Sequence, residues 1–179
     1  MIYCFLADGF EEIEAVASVD TVRRAGIEVA FVGVGKRVVQ GAHGIKIEAD
    51  LTDGELDFST VDGVMLPGGM PGTLNLGKSE SVKHALETAA AGGKLVAAIC
   101  AAPSVLGQYG LLKGKKAVCY PGFEDKLGCE VGLGRTCVSG NFITAIGPGA
   151  SIEFGLEIVR YFLGDEKAAE IRKSMQCRS

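Results

Sequence analysis

Apolar positions along this chain fall into short runs broken by glycine-rich turns, with amphipathic stretches between them. Ile2–Leu6 is a strand-length run that stops at Ala7-Asp8-Gly9-Phe10. Glu11, Glu12 and Glu14 then crowd the first turns of a helix, where the helix dipole favours acids. Ile13, Val16, Ala17, Val19 and Val22 carry that helix towards Arg23-Arg24, and Gly26 is placed to cap it. Glu28–Val34 reads as the second strand. A strand–helix–strand opening with short connections predicts a parallel α/β sheet.

The rhythm changes over Lys36–Asp50. Val38-Val39, then Gly41–Gly44, then Ile45, Ile47 and Ala49 alternate with period two, as a small hairpin does. Val61–Leu66 is the next strand and runs directly into Pro67-Gly68-Gly69-Met70-Pro71-Gly72. Such a turn exposes backbone N–H groups at the carboxyl end of a strand, the edge where open α/β sheets bind ligands. Ser81–Ala91 reads as a helix closed by Gly92-Gly93. Lys113–Lys116 is a basic connection, Ala117–Tyr120 a short strand, and Phe123–Leu127 one helical turn. Thr136–Val138 and Phe142–Ile146 read as strands about a Ser139-Gly140-Asn141 turn. An amphipathic helix then carries Phe154, Leu156, Ile158, Val159 and Phe162 as far as Gly164, and a last helix runs from Asp165 through Met175.

The chemically distinctive stretch is Leu95–Pro103. Its five leading apolar residues have no polar alternation, as in a strand buried on both faces. Pro103 suits the first turn of a following helix. Cys100 therefore stands at the corner between strand and helix, flanked at two residues by the small Ala98 and Ala102. A thiol facing the open end of a helix meets unpaired N–H groups that stabilise a thiolate. The alternative is a buried structural cysteine, which is a common use of the residue.

Composition narrows the partners. The chain has 179 residues, 47% hydrophobic and 22% charged, and a net charge of −4. That describes one globular domain over 1–179, with neither a basic nucleic-acid footprint nor a membrane span. The first residues lack the pattern of a signal peptide, so a cytoplasmic location with mostly reduced cysteines is expected. None of the six cysteines forms a C-x-x-C pair, and two histidines are too few for a usual zinc site. No metal is expected. Cys4, Cys119, Cys129 and Cys137 are assigned to core or strand positions, and Cys177 to a frayed tail open to adventitious oxidation. His84, beside Lys83, is assigned to the solvated surface.

Four stretches occur in a telling order: Ala7-Asp8-Gly9-Phe10-Glu11-Glu12-Ile13-Glu14, Leu66-Pro67-Gly68-Gly69, Ala97-Ala98-Ile99-Cys100-Ala101-Ala102-Pro103 and Gly147-Pro148-Gly149-Ala150. Together they resemble the ThiJ/PfpI superfamily, in the branch of the Parkinsonism-associated redox-stress protein and its bacterial relatives. The resemblance implies a flavodoxin-like three-layer α/β sandwich with a mostly parallel central sheet, and a homodimer. It makes Cys100 the reactive cysteine and Glu14 its acidic partner, although the residue pattern alone leaves Glu11 and Glu12 equally eligible. A carboxyl beside a thiolate is expected to have a raised pKa and to stay protonated. The N–H groups of Gly69 and Ala101 are the expected oxyanion donors, with Gly68 and Tyr120 in the pocket. His43 stands near where relatives carry a pocket or dimer-face arginine.

The implied activity is a cofactor-free glyoxalase or deglycase acting on reactive dicarbonyls such as methylglyoxal, or on their adducts in glycated or damaged proteins. A second reading is a redox sensor with a chaperone-like role, whose cysteine stops at sulfinic acid. Peptidase, amidase or other hydrolase chemistry is disfavoured. Where several relatives have a histidine before a proline, this chain has Tyr120, and a phenol with a pKa of about 10 is a poor base at neutral pH. A thiamine-thiazole role has no phosphate-binding signature beyond the glycine turns.

Overall fold

The computed structural model describes residues 1–177. The elements in chain order are β1 (Ile2–Leu6), α1 (Glu12–Arg24), β2 (Val29–Gly33), β3 (Val38–Gln40), β4 (Lys46–Glu48), β5 (Leu51–Thr52), β6 (Gly63–Leu66), α2 (Gly72–Leu76), α3 (Glu80–Ala91) and β7 (Leu95–Ile99). They continue with α4 (Pro103–Gln108), β8 (Lys116–Ala117), β9 (Glu130–Val131), β10 (Thr136–Ser139), β11 (Phe142–Ala145) and α5 (Ser151–Ser174). Seven strands form one sheet in the order β10-β11-β7-β6-β1-β2-β5. Every pairing in it is parallel except β10 with β11. The mostly parallel flavodoxin-like sheet expected from the sequence is present.

Side-chain alternation sorts each central strand between two apolar layers. Ile2, Cys4 and Leu6 of β1, with Leu95, Ala97 and Ile99 of β7, face Ala15, Val19 and Val22 of α1 and Phe154 and Ile158 of α5. Tyr3 and Phe5, with Val96 and Ala98, face Val82 and Leu86 of α3 and Val105 and Leu106 of α4. Both faces are therefore covered, which is why these strands read as continuous apolar runs. Gly155 lets α5 approach α1, since a Cβ there would stand 2.7 Å from the Thr21 Cβ.

Three readings need correction. The strand expected over Ala117–Tyr120 shrinks to Lys116–Ala117, because the next N–H groups are drawn elsewhere: Val118 donates to Thr144 Oγ1 (2.9 Å) and Tyr120 to the Cys100 carbonyl (2.8 Å). The glycine-rich segment after β6 contains the short α2, which its Gly-Thr-Leu-Asn-Leu sequence concealed. The cysteines divide: Cys4 and Cys119 are buried, Cys137 lies in β10, and Cys129 is half-buried in a loop that packs it against the core. Cys177 is also half-buried, and its N–H donates to Arg172 O (3.2 Å) at the end of α5. The hairpin is present as β3 paired antiparallel with β4. Gly164, at φ +84°, breaks the last helix where the sequence placed a stop.

Candidate active site

The chain leaves β1 for β2 on one side and returns to β6 on the other, so the carboxyl ends of β1 and β6 flank a topological switch point. The turns Ala7–Phe10 and Pro67–Gly69 meet there, and the elbow after β7 lies beside them. Cys100 occupies that elbow at φ +64°, a left-handed conformation uncommon for a residue with a side chain. Its N–H donates to Ala145 O of β11 and its carbonyl accepts from Tyr120 N–H, both at 2.8 Å. Pro103 starts α4 immediately afterwards.

The structure separates the three acids of α1. Glu11 is the N-cap, accepting the Glu14 N–H on Oε2 at 2.7 Å. Glu12 holds the β3–β4 turn, accepting from His43 N–H (2.7 Å) and Ile45 N–H (3.3 Å) and contacting His43 Nδ1 (2.9 Å). Glu14 is fully buried and turns to Cys100. Its Oε2 accepts Gly68 N–H at 2.7 Å, while Oε1 has no nitrogen or oxygen donor. The thiol is the remaining hydrogen-bonding partner of this carboxyl.

Glycine is required on the facing turn. A Cβ on Gly68 would stand 2.8 Å from the Cys100 Cβ and 2.9 Å from Glu14 Oε2. Gly69 has φ +89°, and a Cβ there would stand 2.4 Å from Glu11 N. The N–H groups of Gly69 and Ala101 both point at the Cys100 sulfur, and neither donates to a backbone carbonyl. Two donors converging on one buried sulfur can hold a thiolate, a sulfur-bound oxygen or an oxyanion formed on a carbon attached to it.

Burial pushes the Glu14 carboxyl up to about 7, against the opposing effect of its bonds to Cys100 and Gly68. Burial, followed by the Glu14 charge, pushes the Cys100 thiol up to about 12. The sequence expectation of a lowered thiol pKa is therefore corrected. While Glu14 is ionised the thiol holds its proton, and the two N–H groups only partly offset that. A thiolate is favoured when Glu14 carries the proton and donates it to sulfur. As pH rises through about 7 the pair passes from two protons to one.

Tyr120 is anchored by its backbone at Cys100, while its ring lies over Gly147 and is 47% exposed. It lines a hollow of about 200 Å³ with Pro121, Arg135, Ile146 and Pro148. His84 is exposed and meets the Phe58 ring edge-on, away from the elbow. Potential ligand atoms of Glu11, Glu12 and His43 lie within 4.8 Å of one another, but the capping and turn-holding bonds above account for both carboxylates. The capping role of Glu11 and the His43–Glu12 link were missed from sequence. The clustered acids signalled a helix start, but local pattern cannot reveal a partner some thirty residues away.

Comparison with known proteins places this geometry. The family model described as DJ-1/PfpI matches residues 1–161. Protein DJ-1 homolog B of Arabidopsis thaliana is 40% identical over 170 residues, covering 93% of this chain and 39% of that protein. The chain thus spans about two-fifths of that relative. The glutathione-independent glyoxalase DJR-1.2 of Caenorhabditis elegans is 32% identical over 168 residues, covering 92% of this chain and 89% of that one. Among solved structures, oxidized Toxoplasma gondii DJ-1 superposes with a TM-score of 0.93 at 39% identity, covering 97% of this chain and 96% of that one. With the match running from β1 into α5, this chain belongs to the DJ-1/PfpI family.

Proposed function

We propose that this chain is a cysteine-dependent, cofactor-free glyoxalase or deglycase acting on small reactive dicarbonyls such as methylglyoxal, or on their adducts. The observation that carries the reading is the buried Cys100–Glu14 pair facing the N–H groups of Gly69 and Ala101. The relative named as a glutathione-independent glyoxalase supports the substrate class.

The Cys100 thiolate adds to the aldehyde carbon, forming a C–S bond as the carbonyl π pair moves to oxygen. The Gly69 and Ala101 N–H groups stabilise that oxygen, and Glu14 supplies its proton, giving a hemithioacetal. The Glu14 carboxylate then removes the proton on the former aldehyde carbon and returns it to the neighbouring carbon through an enediol. This leaves a thioester, and water cleaves the C–S bond. Methylglyoxal plus water becomes lactate: one carbon is oxidised as its neighbour is reduced, so no external oxidant or reductant is needed. Deglycation of an amine or thiol adduct starts with the same attack.

Steady-state formation of lactate from methylglyoxal tests the reading. Cys100→Ser is expected to lower kcat/KM by at least about 10³-fold, and Glu14→Gln by roughly 10²-fold. Turnover that survives in Cys100→Ser overturns it.

A second reading is favoured by the same paired donors and by the solved relative described as oxidized. Two equivalents of peroxide oxidise the thiolate to sulfinate and are reduced to two of water, and the donors then hold the sulfinate oxygens. Gain of two oxygens at Cys100 without dicarbonyl turnover selects the sensor.

A further inference from the structure

Glu11 stands between the protein surface and the buried Cys100–Glu14 pair. Its N–H donates to Gly68 O (3.0 Å), its Oε2 accepts the Glu14 N–H (2.7 Å), and Gly68 N–H donates to Glu14 Oε2 (2.7 Å). This closed set of bonds fixes the Glu14 carboxyl against the turn that carries Gly69. Glu11 is itself only 8% exposed. Among the described residues no lysine or arginine forms a salt bridge with it, and the one group of possible positive charge beside it is His43, whose Nδ1 lies 3.9 Å from Glu11 Oε1. The titratable groups facing Glu11 and Glu14 are Glu12 on the same helix, His43 from the β3–β4 turn and Cys100 from the elbow.

We propose that Glu11 is a positioning residue whose buried carboxylate biases the shared proton of the Cys100–Glu14 pair toward Glu14 and so increases the share of sulfur present as thiolate, with His43 adjusting that charge from the surface. The inference rests on the reading of Cys100 and Glu14 as the reactive pair. A second carboxylate close by disfavours ionisation of Glu14, and the Glu11 charge is one of the influences that raise it. A protonated His43 partly cancels that field. The hydrogen bond to Glu12, and then the charges of Glu12 and Glu11, raise the pKa of His43 above its ordinary value.

The test is the pH dependence of iodoacetamide alkylation at Cys100, followed by peptide mass spectrometry. Glu11→Gln keeps a side-chain oxygen for the Glu14 N–H and removes only the charge. Its lower apparent pKa is expected to fall by about one unit, and its neutral-pH alkylation rate to drop roughly tenfold. Glu11→Asp keeps the charge and is expected to resemble the parent protein. His43→Gln is expected to give a smaller shift in the opposite direction. A Glu11→Gln profile that overlays the parent, with near-UV circular dichroism unchanged, reduces Glu11 to a helix cap and overturns the proposal. An equal shift in Glu11→Asp also overturns it, because geometry and not charge is then responsible. Alkylation needs no dicarbonyl, so loss of the glyoxalase reading leaves this result standing, and the reverse also holds.

Discussion

At Cys100 and Glu14, opposing influences act on the same few atoms. Burial raises both groups, the Glu14 charge raises Cys100 further, and the hydrogen bond from Cys100 pulls Glu14 back down, so the pair ionises in steps that belong to both residues. Parent-protein alkylation at Cys100 is therefore expected to rise through an apparent pKa of about 7 and then level off, matching the value to which Glu14 is pushed. A flat profile up to pH 9 would show the proton resting on sulfur throughout. The same shift carries a stability consequence. Glu14 is raised from 4.5 to about 7 in the folded protein, so between those values the native state binds more protons than the unfolded chain. Stability from this group is complete below about 4.5 and is lost as pH rises through about 7, by about 3 kcal/mol. Urea denaturation should find Glu14→Gln gaining on the parent protein at pH 8 and losing that advantage near pH 5.

Between elements, the site depends on how closely three turns approach. Gly68 and Gly69 have no room for a Cβ, because Cys100, Glu14 and Glu11 already occupy the space. Behind them, α1 is held by α5 at a contact that only glycine at position 155 permits. Gly155→Ala is expected to cost about 1–3 kcal/mol through overpacking against Thr21. The Thr21→Ala exchange in the same molecule should recover part of that loss, read as a thermal melting midpoint. Additive losses would show that the two residues do not press on each other. Because α1 also carries Glu14, displacing it should slow Cys100 alkylation as well.

For the whole molecule, the sheet's two covered faces explain its continuous apolar strands, and α1 still leaves Ile13 and Val16 exposed, three residues apart on one helical face. In keeping with the family resemblance, a homodimer is proposed. Sedimentation equilibrium should give about twice the 18.6 kDa chain mass, and a monomer mass at micromolar concentration would count against it. Among the described residues no helix is long and apolar enough to cross a membrane.

Much of this was legible in the sequence because it is encoded locally. Apolar runs marked β1, β6 and β7, the small residues around Cys100 with Pro103 behind marked the elbow, and Gly164 marked the break in the last helix. These are consequences of backbone conformation and burial, which neighbouring residues largely determine. The choice of Glu14 over Glu11 and Glu12 was different. Three acids within four positions are nearly equivalent as helix-start residues, and only the approach of Gly68, Cys100 and His43 from distant segments gives each its partner. The direction of the thiol's pKa also required the fold. A helix end and two N–H groups argue for a thiolate, but burial beside a carboxylate outweighs them, and burial is a property of the assembled structure.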